Sequence, residues 1–212
     1  MKTEKSKLRY RLDTLNHVEI EIVAGRSFDR LIRVMDIDSY HDIKTDLDQS
    51  RLASMILLSE IVNIFLHEDH AEHELFDEYV TLMQQVREHP REFRRIFPIF
   101  WVFRLAGIGG LGLELRHCVI TRSTKSAQFG ISFAHGGLIA EEMFRTTPPD
   151  LYLSKKEIIL LKLFQRGVFI EGLNHYPLST SELSRLETLG KMYLQYLDLP
   201  VKSMAFFARM TV

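Results

Sequence analysis

A chain of 212 residues with 46% hydrophobic and 26% charged positions, a net charge of −1 and one cysteine has an ordinary globular composition, which excludes wholesale disorder and an internal disulfide framework. No stretch reaches the roughly 20 uninterrupted apolar residues that a membrane helix needs, and the opening Lys2-Thr3-Glu4-Lys5-Ser6-Lys7 lacks the apolar core of an export signal. A cytoplasmic chain is expected, with material for one substantial core and an appendage.

Residues 1–36 read as strands loaded with cations. In Lys7 to Leu12 the apolar Leu8, Tyr10 and Leu12 alternate with Lys7, Arg9 and Arg11, so one face packs and the other is cationic. Up to residue 35 there are eight cations (Lys2, Lys5, Lys7, Arg9, Arg11, Arg26, Arg30, Arg33) against five acids (Glu4, Asp13, Glu19, Glu21, Asp29), a local excess of +3. Val18, Ile20 and Val23, a turn at Ala24-Gly25-Arg26-Ser27 and Leu31 to Val34 predict a hairpin.

Helical periodicity takes over after residue 44. Thr45-Asp46 offers a cap, and the apolar positions from Leu47 to Phe65 predict a central helix buried on most sides. A second helix carries the stripe Leu75, Phe76, Tyr79, Val80, Met83 and Val86, and ends at His89-Pro90. A third is expected over Arg91 to Ala106, with Phe93, Ile96, Phe97, Phe100, Trp101 and Phe103 among arginines, and glycines 107, 109, 110 and 112 break it. An irregular insert over about 113–147 has strand-like pieces at Cys118-Val-Ile-Thr121 and Phe129-Gly-Ile-Ser-Phe133. Helices return over Ser154–Gln165 and Ser179–Leu197, where Thr180-Ser181-Glu182 lies in a cap region.

The basic N-terminal face suits phosphate tracking, because neutralisation by Lys and Arg with counterion release supplies most sequence-independent affinity. A solvated strand face is the plain alternative. Tyr10 and His17 suit base stacking or, for Tyr10, burial. Arg87, Arg91, Arg94, Arg95 and Arg104, beside the aromatics of the third helix, suit anionic protein tails or phosphates; equally, the aromatics are core and the arginines snorkel over them. His67, His70 and His73, with acids interleaved, have the look of a metal cluster, but His67 and His73 lie nearly two turns apart and drift off one face, as in a solvated acidic loop. The glycines at 107–112 match neither a dinucleotide fingerprint nor a phosphate-binding loop, and no nucleophile elbow or carboxylate pair is present. Cys118 beside His117 does not make a dyad, so no enzymatic activity is expected.

In this order of elements the chain resembles the RecO family of bacterial recombinational-repair mediators. The stretches that carry the resemblance are Lys5-Ser-Lys-Leu-Arg-Tyr-Arg-Leu12, Asn16-His-Val-Glu-Ile-Glu-Ile22 with Gly25-Arg26, Arg51 to Phe65 with Ser59-Glu60, Glu74-Leu75-Phe76, Phe103-Arg-Leu105 with Gly107 and then His117-Cys118, and Tyr196-Leu-Asp-Leu-Pro-Val-Lys202-Ser203. The resemblance implies an α+β fold: a partial OB-like β segment over residues 1–40, then a mostly α-helical domain over 41–212 with a small irregular insert, a degenerate zinc finger, at about 113–147. It also implies a non-enzymatic DNA repair and recombination mediator, nucleoid-associated, that binds single- and double-stranded DNA, anneals strands and helps load the RecA recombinase with RecR and single-strand-binding protein. On this reading Lys5, Lys7, Arg9, Arg11, Arg26, Arg30 and Arg33 contact phosphates, and Arg91, Arg94, Arg95 and Arg104 dock the acidic C-terminal tail of single-strand-binding protein. The alternative is a helical partner-docking module with little DNA binding of its own.

Two departures stand out. Zinc-holding members of the family present two Cys-x-x-Cys pairs, whereas the corresponding positions here are Cys118, Thr121, Ala140 and Met143. One thiol cannot hold a tetrahedral zinc, so no metal and no cofactor is expected, and Ile120, Phe129, Ile131, Phe133 and Leu138 are expected to clamp the insert by packing. The second departure is that residues 1–36 supply only about half of a five-stranded barrel.

Overall fold

The computed structural model describes Leu15, strand segments 17–23 and 33–41 as backbone, and residues 48–66, 73–88 and 95–210. Strands β1 (His17–Val23) and β2 (Arg33–His41) pair antiparallel, from His17 opposite His41 to Val23 opposite Arg33. The expected hairpin forms, but its return strand starts at Arg33 and runs on to His41 instead of spanning Leu31–Val34. Val34, Ile37 and Tyr40 fall three apart, which hides the period-two signature of a strand. Register irregularities between Val18 and Ile20 and between Glu21 and Ile22 absorb the mismatch. The turn read at 24–27 lies outside the described residues.

Helix α1 (Gln49–Phe65) is capped by Asp48, whose carboxylate accepts from the Arg51 N–H at 2.8 Å. The cap therefore sits beyond the expected Thr45-Asp46. Helix α2 (His73–Glu88) follows. Helix α3 spans Phe97–Ile108 and starts later than the expected Arg91. Pro98 explains the shift, because a residue without an N–H is accommodated in the first turn, where that donor has no partner in any case. Phe97, Phe100, Trp101 and Phe103 are all at most 1% exposed, so they are core. Helix α3 packs on α1, and it also packs on α4 (Lys155–Gln165) and α6 (Thr180–Tyr196). Helix α1 is central as well, packing on α2, on α3 and on the last helix, Met204–Met210.

Both α4 and α6 begin with a complete capping box, Ser154 with Glu157 and Ser179 with Glu182, which is why their starts are legible in sequence. Two short helices carry no such signal: α5 (Ile170–His175) and α7 (Met204–Met210).

Between α3 and α4 lies the insert, an antiparallel sheet of β3 (Phe129–Ser132), β4 (Gly137–Ala140) and β5 (Leu151–Leu153) in the order β4-β3-β5. The expected strand at Phe129–Phe133 corresponds to β3. The expected strand at Cys118–Thr121 does not form; the segment is a tight turn, in which the Cys118 N–H donates to the Ser123 carbonyl and the Arg122 N–H to the Cys118 carbonyl, with Arg122 at φ 61°. Of its β-branched residues Val119 packs against Gly137, while Ile120 and Thr121 face outward. Gly137 permits the 114–119 segment to lie against β4, since a Cβ there would meet the Glu114 carbonyl oxygen at 2.5 Å. Among the described residues no helix is long and apolar enough to cross a membrane.

Candidate nucleic-acid interface and the zinc-less knuckle

Of the cations read as phosphate contacts, Lys5, Lys7, Arg9, Arg11, Arg26 and Arg30 lie outside the described residues. Arg33 is the first residue of β2, opposite Val23. His67 and His70 are likewise outside, and His73 begins α2 on an exposed position. Among the described residues no group of three or more His, Cys, Asp or Glu is placed to hold a metal.

The arginines of the third helix are only partly described, Arg91 and Arg94 falling outside. Arg95 forks onto Glu187 of α6, with Nε 2.9 Å from Oε1 and Nη2 in contact with Oε2. Arg104 places Nε 3.1 Å from both oxygens of Glu78 on α2 and donates to the Gln165 carbonyl at 3.4 Å. Each guanidinium thus already has a carboxylate partner, 92 and 26 positions away in sequence respectively. The Glu187 side chain is only 7% exposed, so removing Arg95 alone would leave this carboxylate buried without its ion-pair partner.

In the insert the turn at Cys118–Thr121 and the segment from Ala140 to Glu142 meet in a knuckle, where the resemblance to the family implies zinc ligands. Cys118 is fully buried, and its sulfur accepts the Thr121 N–H at 3.5 Å. Burial pushes the thiol up, but the nearby Thr121 side chain and the N–H groups of Thr121, Ala140 and Ile120 outweigh it and hold Cys118 below its ordinary value. Backbone N–H groups are therefore turned onto the sulfur as they would be around a metal-bound thiolate. The donor set around them does not fit zinc: Thr121 and Met143 offer a hydroxyl and a thioether, and Ala140 offers nothing. The Thr121 hydroxyl instead donates to Glu142 Oε1 at 3.1 Å, and so links the two halves of the knuckle directly. Beneath it Ile131, Phe133 and Leu138 are at most 5% exposed, in line with the expected apolar clamp. Ile120 does not join it and is 40% exposed, because it rides on the outside of the turn.

An aromatic stack fixes the insert to the helices. Tyr193 of α6 lies between Phe103 of α3, 5.2 Å away, and Phe133 of the insert, 5.6 Å away, and Phe133 also stacks on Tyr196.

Two stretches singled out in the sequence meet in space. The Glu60 carboxylate on α1 accepts the N–H groups of Lys202 and Ser203, each at 2.7 Å, and the Ser203 hydroxyl. It thereby caps the approach to α7, while the neighbouring Ser59 hydroxyl bonds to the Tyr79 hydroxyl of α2 at 2.6 Å. These contacts hold the Glu60 carboxyl below its ordinary value despite the opposing effect of burial.

Comparison with known proteins agrees with this arrangement. Residues 47–205 match the family described as Recombination protein O C terminal. Among curated proteins, the chain is 29% identical over 203 residues to "DNA repair protein RecO" of Gloeothece citriformis, covering 90% of this chain and 66% of that protein. It is 24% identical over 146 residues to "DNA repair protein RecO" of Gloeobacter violaceus, covering 68% of this chain and 55% of that protein. The chain thus spans just under two thirds of the first relative and a little over half of the second.

Proposed function

The chain belongs to the recombination protein O family, and from that premise we propose that it acts in DNA repair and recombination as a non-enzymatic mediator in the cytoplasm, at the nucleoid. The family match over residues 47–205 carries the reading. In it, residues 1–40 form a partial OB-like unit and residues 41–212 the helical domain with its zinc-less insert. The cations Lys5, Lys7, Arg9, Arg11, Arg26, Arg30 and Arg33 neutralise DNA phosphates, single- and double-stranded alike. Complementary strands anneal on that surface, and RecR and single-strand-binding protein are the partners with which RecA is loaded. This role needs no catalytic residue and no cofactor, because its chemistry is charge neutralisation and docking.

Arg91, Arg94, Arg95 and Arg104 are the candidates for the acidic tail of single-strand-binding protein. Since Glu187 and Glu78 already face Arg95 and Arg104, a tail docking there shares those guanidiniums or displaces the resident carboxylates.

The test is a fluorescence-anisotropy titration of labelled single- and double-stranded oligonucleotides across a salt series, on this chain and on a variant with Lys7, Arg9 and Arg11 changed to Glu. The expected result is affinity that falls with salt at a slope worth several phosphates, and loss of most of it in the variant. Salt-insensitive or absent binding, unchanged by the charge reversal, would leave the helical domain as a partner-docking module.

A further inference from the structure

Two adjoining hollows, of about 500 Å³ and 370 Å³, run between the insert and α4 and share Leu115, Arg116 and Lys162 as lining. Arg116, Lys125, Lys155, Lys162 and Arg166 line them against a single carboxylate, Glu114. Glu114 is committed to Arg116, accepting its backbone N–H at 2.7 Å and its guanidinium at 3.0 Å. Four cations are left over: among the described residues, Lys125, Lys155, Lys162 and Arg166 pair with no carboxylate.

Their layout is a line. Lys155, Lys162 and Arg166 follow one another at spacings of seven and four, which puts them along one face of α4 and its C-cap. At 1.5 Å per residue they cover about 16 Å, with Lys125 on the insert loop lining the same groove. Helix stability alone does not account for this line. Lys162 and Arg166 near the C-terminus suit the helix dipole, but Lys155 stands in the first turn, where a cation is disfavoured. Its neighbour Lys156 is compensated by Glu182 at 2.8 Å, and Lys155 has no such compensation.

We propose that this groove is a second nucleic-acid track that takes a phosphodiester backbone; the inference rests on the DNA-binding reading above and assigns it a new surface. An extended row of lysines ending in Arg166 is suited to successive phosphates, the ammonium groups acting as point charges and the guanidinium as a bidentate fork. Phe129 is the groove's one aromatic and is partly buried beneath it, so bases find no stacking platform. The track therefore reads charge and not sequence, and accepts duplex and single strand alike.

The experiment compares the full chain with a groove variant, Lys125→Glu with Lys155→Glu and Lys162→Glu, and a milder one, Lys155→Gln with Lys162→Gln. Each is titrated against labelled duplex and single-stranded oligonucleotides over a salt series, and against a labelled poly-glutamate peptide. The expected result is at least a tenfold loss of DNA affinity in the Glu variant. The slope of log affinity on log salt should shrink by about 0.9 per lost contact on duplex and about 0.7 on single strands. A smaller loss is expected in the Gln variant, whose thermal midpoint stays at that of the parent; should the Glu variant unfold, the Gln pair decides. DNA binding by the parent that neither variant alters overturns the groove and leaves the N-terminal DNA surface standing. Loss of peptide binding with DNA binding intact overturns it in favour of an acidic protein partner. No DNA binding by the parent overturns the DNA reading itself, and the groove with it.

Discussion

The ring of Tyr193 stacks on that of Phe133 with centroids 5.6 Å and planes 12° apart, and its hydroxyl donates to the Leu111 carbonyl. One side chain of α6 thus holds the insert, and the loop that follows α3, against the helical body. Phe133→Ala should lower the unfolding free energy by about 3 kcal/mol or more, as large aromatic truncations in cores do. Tyr193→Phe keeps the stack and loses one hydrogen bond, worth about 1 kcal/mol. Urea denaturation followed by circular dichroism measures both; equal losses would mean that the stack is not what secures the insert.

Acid should weaken the fold in a defined window. The Lys156 ammonium, together with the Ser179 hydroxyl and N–H, holds Glu182 at about 2, and the Arg116 guanidinium holds Glu114 at about 2. In the unfolded chain both return to their ordinary 4.5, so between these values the unfolded state binds more protons. Their contribution is complete above about pH 4.5 and is lost as pH falls towards 2. With Glu182→Gln, the stability gap to the parent should be widest near neutrality and close at the acid end of the window, when unfolding is measured over a pH series. A gap that does not change with pH would refute the assignment.

Arg95 and Glu187 should behave as a unit. Arg95→Ala strands a carboxylate that is only 7% exposed, at a cost of about 3 kcal/mol. Replacing both partners, Arg95→Met with Glu187→Leu, removes the stranded charge and should restore most of that loss. A double-mutant cycle reads the coupling directly.

The knuckle should be indifferent to metal. Dialysis against a chelator is expected to leave the thermal midpoint unchanged, and elemental analysis to find no stoichiometric zinc. Cys118→Ala removes the buried sulfur that the Thr121 and Ala140 N–H groups face, and should cost about 1–2 kcal/mol. A chelator-dependent drop in midpoint would show that the thiol does recruit a metal.

What could be read from sequence followed the range of the interactions involved. The starts of α4 and α6 were legible because Ser154 with Glu157 and Ser179 with Glu182 state their own boundaries within four residues. The strand at Phe129–Ser132 was legible from its apolar run. Helices α5 and α7 were not, since six or seven residues carry too little periodicity and α7 owes its cap to Glu60, far away in the chain. The turn at Cys118–Thr121 reads as a strand by composition, because β-branched side chains can pack a turn as well as a ladder. The partners of Arg95 and Arg104 could not be foreseen, for nothing local marks Glu187 or Glu78 as their counterions. The groove beside Lys155 and Lys162 likewise exists only once α4 lies against the insert.

The clasp between Glu60 and Ser203 also sets a timetable. The two residues are separated by 143 positions, which a ribosome adding 5–20 residues per second covers in on the order of ten seconds. Through that interval Leu57 and Ile61 of α1 lack Met204 and Phe207, the side chains that share their cleft in the finished fold. A nascent chain therefore lacks this part of the cleft's apolar lining until residues 204–207 have emerged, and its helical body closes only when α7 is present.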